Sequence, residues 1–185
     1  MCKSAVAIFG RLAKDNPQAY EWDLAKSYNN LANLYGDTER FKESEAMHKS
    51  ALAIYERLAK DNPQAYEPDL ANSYYNLANL YSATQRFKES EAMHKSALAI
   101  REHLAKGNPQ AYEPNLARSY NNLADLYRVT RRFKESESMH MSALAIFERQ
   151  AKDTPQAYEP VLARSYNNLA ALYSDIQRFD ETIVR

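Results

Sequence analysis

SYNNLANLY, residues 27–35, returns as SYYNLANLY at 73–81, SYNNLADLY at 119–127 and SYNNLAALY at 165–173, each time 46 residues further on. The recurrence extends outward from that phrase in both directions. ALAIYERLAKDNPQAYEPDLA, 51–71, has counterparts beginning at Ala5, Ala97 and Ala143, and RFKESEAMHKSAL recurs at 40–52, 86–98 and, modified, 132–144. Self-similarity at a fixed period of about 20–50 residues marks a solenoid, in which each unit buries its apolar face against its neighbours.

Within a unit the apolar spacing is helical. Leu70, Tyr74, Leu77, Ala78 and Tyr81 fall at i, i+4, i+7, i+8 and i+11, one stripe of an α-helix, here helix A. Pro68 suits its first turn, where a missing N–H costs nothing. A second helix, B, carries Phe87, Ser90, His94, Ala97, Arg101 and Leu104 on one stripe, with Met93 and Ile100 flanking. It is about 20 residues, roughly 30 Å, long. It must stop near Asn108-Pro109, because a residue preceding proline is pushed out of the helical region. The A–B turn near SATQR is short, which makes the two helices antiparallel neighbours. Glycine is scarce and strand alternation is nowhere visible, so the fold class is all-α.

These residues resemble the tetratricopeptide repeat family. Its helix A motif is met by Tyr74, Asn76, Leu77, Ala78 and Tyr81, and its helix B motif by Phe87, Ser90, Ala97 and Leu98. Ala78 and Ser90 stand for the family's small pair and still allow close helix approach. The commonest version repeats at about 34 residues. The excess here lies in a longer helix B and the NPQAYEP connector, which is similar to the long-repeat, kinesin-light-chain-like branch. The resemblance implies a right-handed superhelical solenoid of antiparallel helix pairs. It divides the single array 1–185 into a partial repeat 1–18 (helix B only), repeats 19–64, 65–110 and 111–156, and a partial repeat 157–185 (helix A plus the start of helix B). No polar cap is visible at either end, so a longer array or pairing with another copy is expected.

Composition narrows the function. Lys+Arg and Asp+Glu balance at 24 each, so no global field attracts nucleic acid or an acidic membrane. A single cysteine, Cys2, forbids an intramolecular disulfide and fits a reducing compartment. The opening AVAIF is too short for a signal-peptide core or a membrane span, and MCKSAVAIF aligns with MHKSALAIY at 47–55, so it belongs to the repeat. A cytoplasmic protein is expected.

The copies vary on one face. Lys26, Asn72, Arg118 and Arg164 stand two residues before the first tyrosine, and Asn29, Tyr75, Asn121 and Asn167 one after it. Asn33, Asn79, Asp125 and Ala171 follow, and then Gly36, Ser82, Arg128 and Ser174. The positions i, i+3, i+7 and i+10 form a second face of helix A beside the packed stripe. An ordinary solvated face accounts for that variation. The resemblance instead implies a concave groove where an extended peptide lies, with Lys26, Asn29, Asn33, Tyr75, Asn79, Arg118, Asn121, Arg128, Arg164 and Asn167 as candidate contacts. Asn30, Asn76, Asn122 and Asn168 occur in every copy. They either bond a neighbouring helix or hold a ligand's backbone, since an amide offers donors and an acceptor together. Arg118, Arg128 and Arg164 would favour carboxylates or phosphates, with Asp125 partly offsetting them.

No catalytic constellation is visible, and no cofactor or metal is expected. His48, His94 and His140 occupy equivalent places in successive helices about 10 Å apart, whereas zinc needs ligands near 2 Å; they read as satisfied interface histidines. The KESE carboxylates lie two apart and do not face each other, so they read as a solvated face. Cys2 has no persuasive base beside it. The expected function is a non-catalytic scaffold whose helix A groove holds a protein or peptide segment, acidic ones preferred. The alternatives are a structural module self-associating head to tail through its uncapped ends, or a sensor segment of a larger regulatory protein. The connector tyrosines Tyr20, Tyr66, Tyr112 and Tyr158 read as packing rather than as a second binding edge.

Overall fold

The computed structural model of the chain describes residues 1–183, with side chains through Gln177. These residues hold eight helices and no strand: α1 (Cys2–Asp15), α2 (Pro17–Asp37), α3 (Phe41–Asp61), α4 (Pro63–Ala83), α5 (Phe87–Gly107), α6 (Pro109–Val129), α7 (Phe133–Asp153) and α8 (Pro155–Ile183). The chain divides into two compact units, Met1–Ile100 and Arg101–Arg185.

Each helix A begins earlier than the apolar stripe suggests. Asn62 caps α4 by accepting the Ala65 N–H at 3.3 Å, and Pro63 fills the first helical position. Asn16 and Asn108 do the same for α2 and α6. The cap and the N1 proline together define a helix start, so the NPQAYEP stretch is helix, not connector. A single residue then separates each helix B from the next helix A. Pro68, expected in the first turn, lies inside α4, as Pro114 does in α6. Helix B stops where expected, at Gly107 before Asn108-Pro109.

The A–B turns are closed by a left-handed residue. Glu39 has φ 57°, Gln85 60° and Arg131 59°. The Arg40 N–H bonds the Tyr35 carbonyl at 2.8 Å and the Glu39 N–H bonds Gly36 at 2.9 Å, the paired bonds of a Schellman motif. α8 makes no such turn and runs as one helix to Ile183, so the separate start of helix B expected in 157–185 does not appear before that residue. Ile176 stands where Thr38, Thr84 and Thr130 end their helices, and it packs on the Leu144, Leu169 and Leu172 cluster. Continuing the helix keeps that apolar side chain half-buried against the cluster. Residues 184 and 185 lie outside the described residues.

Small residues bring the helices together. Ala32, Ala78 and Ala124 on helix A are fully buried, as are Ser44, Ser90 and Ser136 on helix B. Each serine hydroxyl donates to the facing alanine carbonyl, Ser90 to Ala78 at 2.9 Å. In the first unit α3 lies between α2 and α4, and Leu52, Leu77, Leu80 and Tyr81 form a buried cluster joined by Phe41, Leu70, Tyr74 and Met93. Tyr66 packs on the neighbouring cluster of Ala25, Ala51, Tyr55 and Leu58. In the second unit α7 lies between α6 and α8, over Leu144, Leu169 and Leu172.

Polar bonds stitch one copy to the next. Glu45 accepts from Tyr81 at 3.0 Å and from Arg86 at 2.6 Å, and pairs with Lys49. Burial alone would raise its carboxyl, but the bonds from Lys49, Arg86 and Tyr81 outweigh burial and hold it down at about 2. Glu137 accepts from Tyr173 in the same way. The second glutamate of KESE is therefore an inter-repeat anchor rather than part of a solvated face. Its partners lie 36 and 41 residues away along the chain, beyond any argument from spacing within one helix.

Candidate functional site

In the second unit, α6 and α8 form the two walls of a groove and α7 supplies its floor. A cavity of about 440 Å³ opens there, lined by Arg118, Asn121 and Asn122 of α6 and by Arg164, Asn167 and Asn168 of α8. All six were candidates from the sequence, and the register places them: two residues before, then one and two after, the first tyrosine of helix A. Phe147 of α7, 3% exposed, forms part of the floor. Asp125 lines the same cavity.

The lining is rich in donors. Arg118 and Arg164 are exposed guanidiniums, each with donors only. Asn122 is half-buried, and its Nδ2 is buried without a hydrogen-bond partner. An unmatched buried amide costs about 1–3 kcal/mol, so it is a standing demand for an acceptor. Asn121 behaves differently. Its Oδ1 accepts from Nδ1 of His140 at 2.9 Å, and His140 is 1% exposed. That bond fixes the neutral ring with Nε2 bare, 3.9 Å from Asp125. Burial pushes the His140 imidazole down, with Asp125 opposing, and burial pushes the Asp125 carboxyl up, with His140 and Arg128 opposing.

The other candidates are placed as follows. On α2, Lys26 is exposed and sits over the Trp22 ring at 4.9 Å, while Asn30 and Asn33 are exposed. Asn29 accepts from His48 at 2.9 Å, the counterpart of the Asn121–His140 bond. On α4, Tyr75 lies against the His94 ring, centroids 6.0 Å apart, with Asn76 half-buried and Asn79 exposed. The position after the first tyrosine thus meets the histidine of helix B in each of these copies. Arg128 is engaged in an ion pair with Asp175 at 2.7 Å and does not join the six cavity residues.

Tetratricopeptide repeat models match residues 23–103 and 116–149, together well over half of the chain. The chain belongs to the tetratricopeptide repeat family. Its fold is an all-α repeat solenoid, similar to the crystal structure of BtubC (BKLC) from P. vanneervenii, with a TM-score of 0.71, 25% identity and 97% of this chain covered. This chain spans 65% of that protein's length. It is also similar in fold to a Podosopora anserina protein, described as a kinesin light chain with nearly identical TPR-like repeats. That match has a TM-score of 0.68 at 18% identity, covering 97% of this chain and 81% of that one. A second structure of that protein gives 0.60 at 17%, covering 100% and 89%. No curated protein matches the chain. Tetratricopeptide repeats are in general non-catalytic scaffolds for protein interaction. Among the described residues no helix is long and apolar enough to cross a membrane.

One cavity of the second unit was not read from the sequence. A second cavity, of about 540 Å³, adjoins the start of α8 and is lined by residues that include Arg149, Gln150 and Asp153 of α7 and Tyr158 of α8. Tyr158 also lines the first cavity, so this connector tyrosine borders both spaces. The available signal was Gln150, a polar residue where the other copies carry Leu12, Leu58 and Leu104.

Proposed function

We propose that this chain is a non-catalytic scaffold that holds an extended protein segment in its helix A groove, with acidic segments preferred in the second unit. One observation carries the reading: Arg118, Arg164 and four asparagine amides line one cavity, and Asn122 Nδ2 there is buried with no partner. Guanidiniums and amides together supply donors for carboxylates and backbone carbonyls. The resemblance assigns the same face to ligand binding. Neutral net charge supports a protein partner over nucleic acid or an anionic membrane, because no broad basic field is present. We place the protein in the cytoplasm, consistent with its lone cysteine.

The test is fluorescence anisotropy with a labelled Asp/Glu-rich peptide and its Asn/Gln counterpart. Arg118→Glu with Arg164→Glu should weaken the acidic peptide about tenfold or more. It should leave the helical circular dichroism signal and the neutral peptide unchanged, since both arginines are exposed. Equal affinity of native and variant chains for the acidic peptide would remove the arginines from the function.

A further inference from the structure

The two cavities of the second unit follow one another along α6. The second is lined by Pro109, Gln110 and Glu113, the first by residues from Pro114 to Asp125. From Pro109 to Asp125 the helix rises about 24 Å, the length of about seven extended residues. The floor also continues. Phe147 lies under the first cavity, and Gln150 and Asp153, three and six residues further along α7, border the second.

The chemistry changes along that path. Gln150 occupies the register position of Leu58, a core residue 9% exposed, yet its Oε1 is buried with no hydrogen-bond partner. Replacing a core leucine by an amide whose acceptor goes unmatched is costly unless something donates to it. Glu113 and Arg149 are ion-paired across the same cavity. Asp153 adds a second carboxylate and forms no ion pair among the described residues, which tips the local charge to negative. The cap departs here as well: Thr154 replaces the asparagine of the other copies.

We propose that the groove continues past Tyr158, and that the second cavity takes a lysine of the same bound segment: its ammonium faces Asp153, and a turn of the Gln150 side chain brings Oε1, buried in the unliganded chain, round to accept from it. This rests on the peptide-groove reading above and deepens it. The partner is a segment of mixed sign, acidic over Arg118 and Arg164 and cationic at the start of α8. Lysine fits better than a neutral donor because its three N–H groups meet an acceptor and an unpaired carboxylate together.

Two readouts decide it. The first is the chain's side-chain amide NMR spectrum titrated with n-butylammonium at neutral pH; loss of one resonance pair in Gln150→Leu assigns the Gln150 signal. That variant carries the residue the other copies use and should fold. Saturable movement of the Gln150 pair is expected. The second readout is anisotropy with an acidic peptide extended by a spacer and lysine, against the same peptide ending in norleucine. The native chain should prefer lysine about five- to tenfold, and Gln150→Leu should bind the two equally. An unmoved Gln150 signal, no lysine preference, or a preference that survives in Gln150→Leu each overturns the proposal. Failure of the acidic reading shows separately, as peptides indifferent to Arg118→Glu with Arg164→Glu, and the butylammonium titration still decides the cavity.

Discussion

His48 shows what a single buried residue does for this fold. It is 2% exposed and donates through Nδ1 to Asn29, and burial pushes its imidazole down to about 4. The unfolded chain takes up that proton near pH 6.5, so between pH 6.5 and 4 the unfolded state binds more protons than the folded one. Stability therefore rises with pH across this window, and it is lost as pH falls. His140, pushed down by the same cause, acts in the same direction. Urea midpoints should be level above pH 7 and then fall, with His48 alone removing about 2–3 kcal/mol by pH 4. His48→Gln should flatten the slope, and an unaltered slope would show the ring to be solvated. Glu45 makes a complementary point. Glu45→Gln should cost about 1 kcal/mol because it weakens bonds from Tyr81, Arg86 and Lys49. Glu43→Gln, at a half-exposed site paired with Arg40 three residues back, should leave the midpoint in place. The sequence makes these two carboxylates look alike, because the partners that separate them belong to another copy.

At the scale of the element, helical period was enough to find both helices of each unit and their stop at Asn-Pro. It misplaced the start of helix A because an apolar stripe reports which residues are buried, not where the backbone first turns helical. The start is set by Asn62 and Pro63, residues that bury little and so leave no trace in the stripe. Four of the six cavity residues, Arg118, Asn121, Arg164 and Asn167, were legible because comparison of copies separates packed from variable positions. Asn122 and Asn168 never vary and stood out only as polar residues repeated beside a core leucine. Gln150 was open to the same comparison, but it lies on helix B, outside the face that the family pattern directs attention to. Asn62→Ala should cost about 1 kcal/mol through the lost cap. Pro68→Ala should do the reverse. Proline inside α4 removes one ladder bond and crowds the carbonyl four residues back, and α2 holds Trp22 at the equivalent position in a helix of the same 21 residues. A gain of about 1 kcal/mol or more is expected by thermal melting, and a loss would mean that Pro68 packing outweighs the missing bond.

At the scale of the molecule, stability should be distributed rather than pooled. In a repeat protein each unit is held by its immediate neighbours, so free energy is approximately a sum of local terms. Leu77 offers the sharpest test. It is 2% exposed and packs in the cluster with Leu52, Leu80 and Tyr81, so Leu77→Ala should cost about 3 kcal/mol, the transfer of its side chain plus the cavity left behind. Where that cost appears is the informative part. Native-state hydrogen exchange should show the protection of α3 and α4 amides falling by most of it. Amides over the Leu144, Leu169 and Leu172 cluster of α7 and α8 should change far less, because in a repeat protein a loss is felt chiefly by the immediate neighbours. A uniform fall over all these helices would mean that the chain opens as one cooperative body. Substitutions in the first unit would then also weaken the groove between α6 and α8 through folding alone, and binding losses from such variants would have to be divided by the fraction folded before any contact is assigned to a ligand.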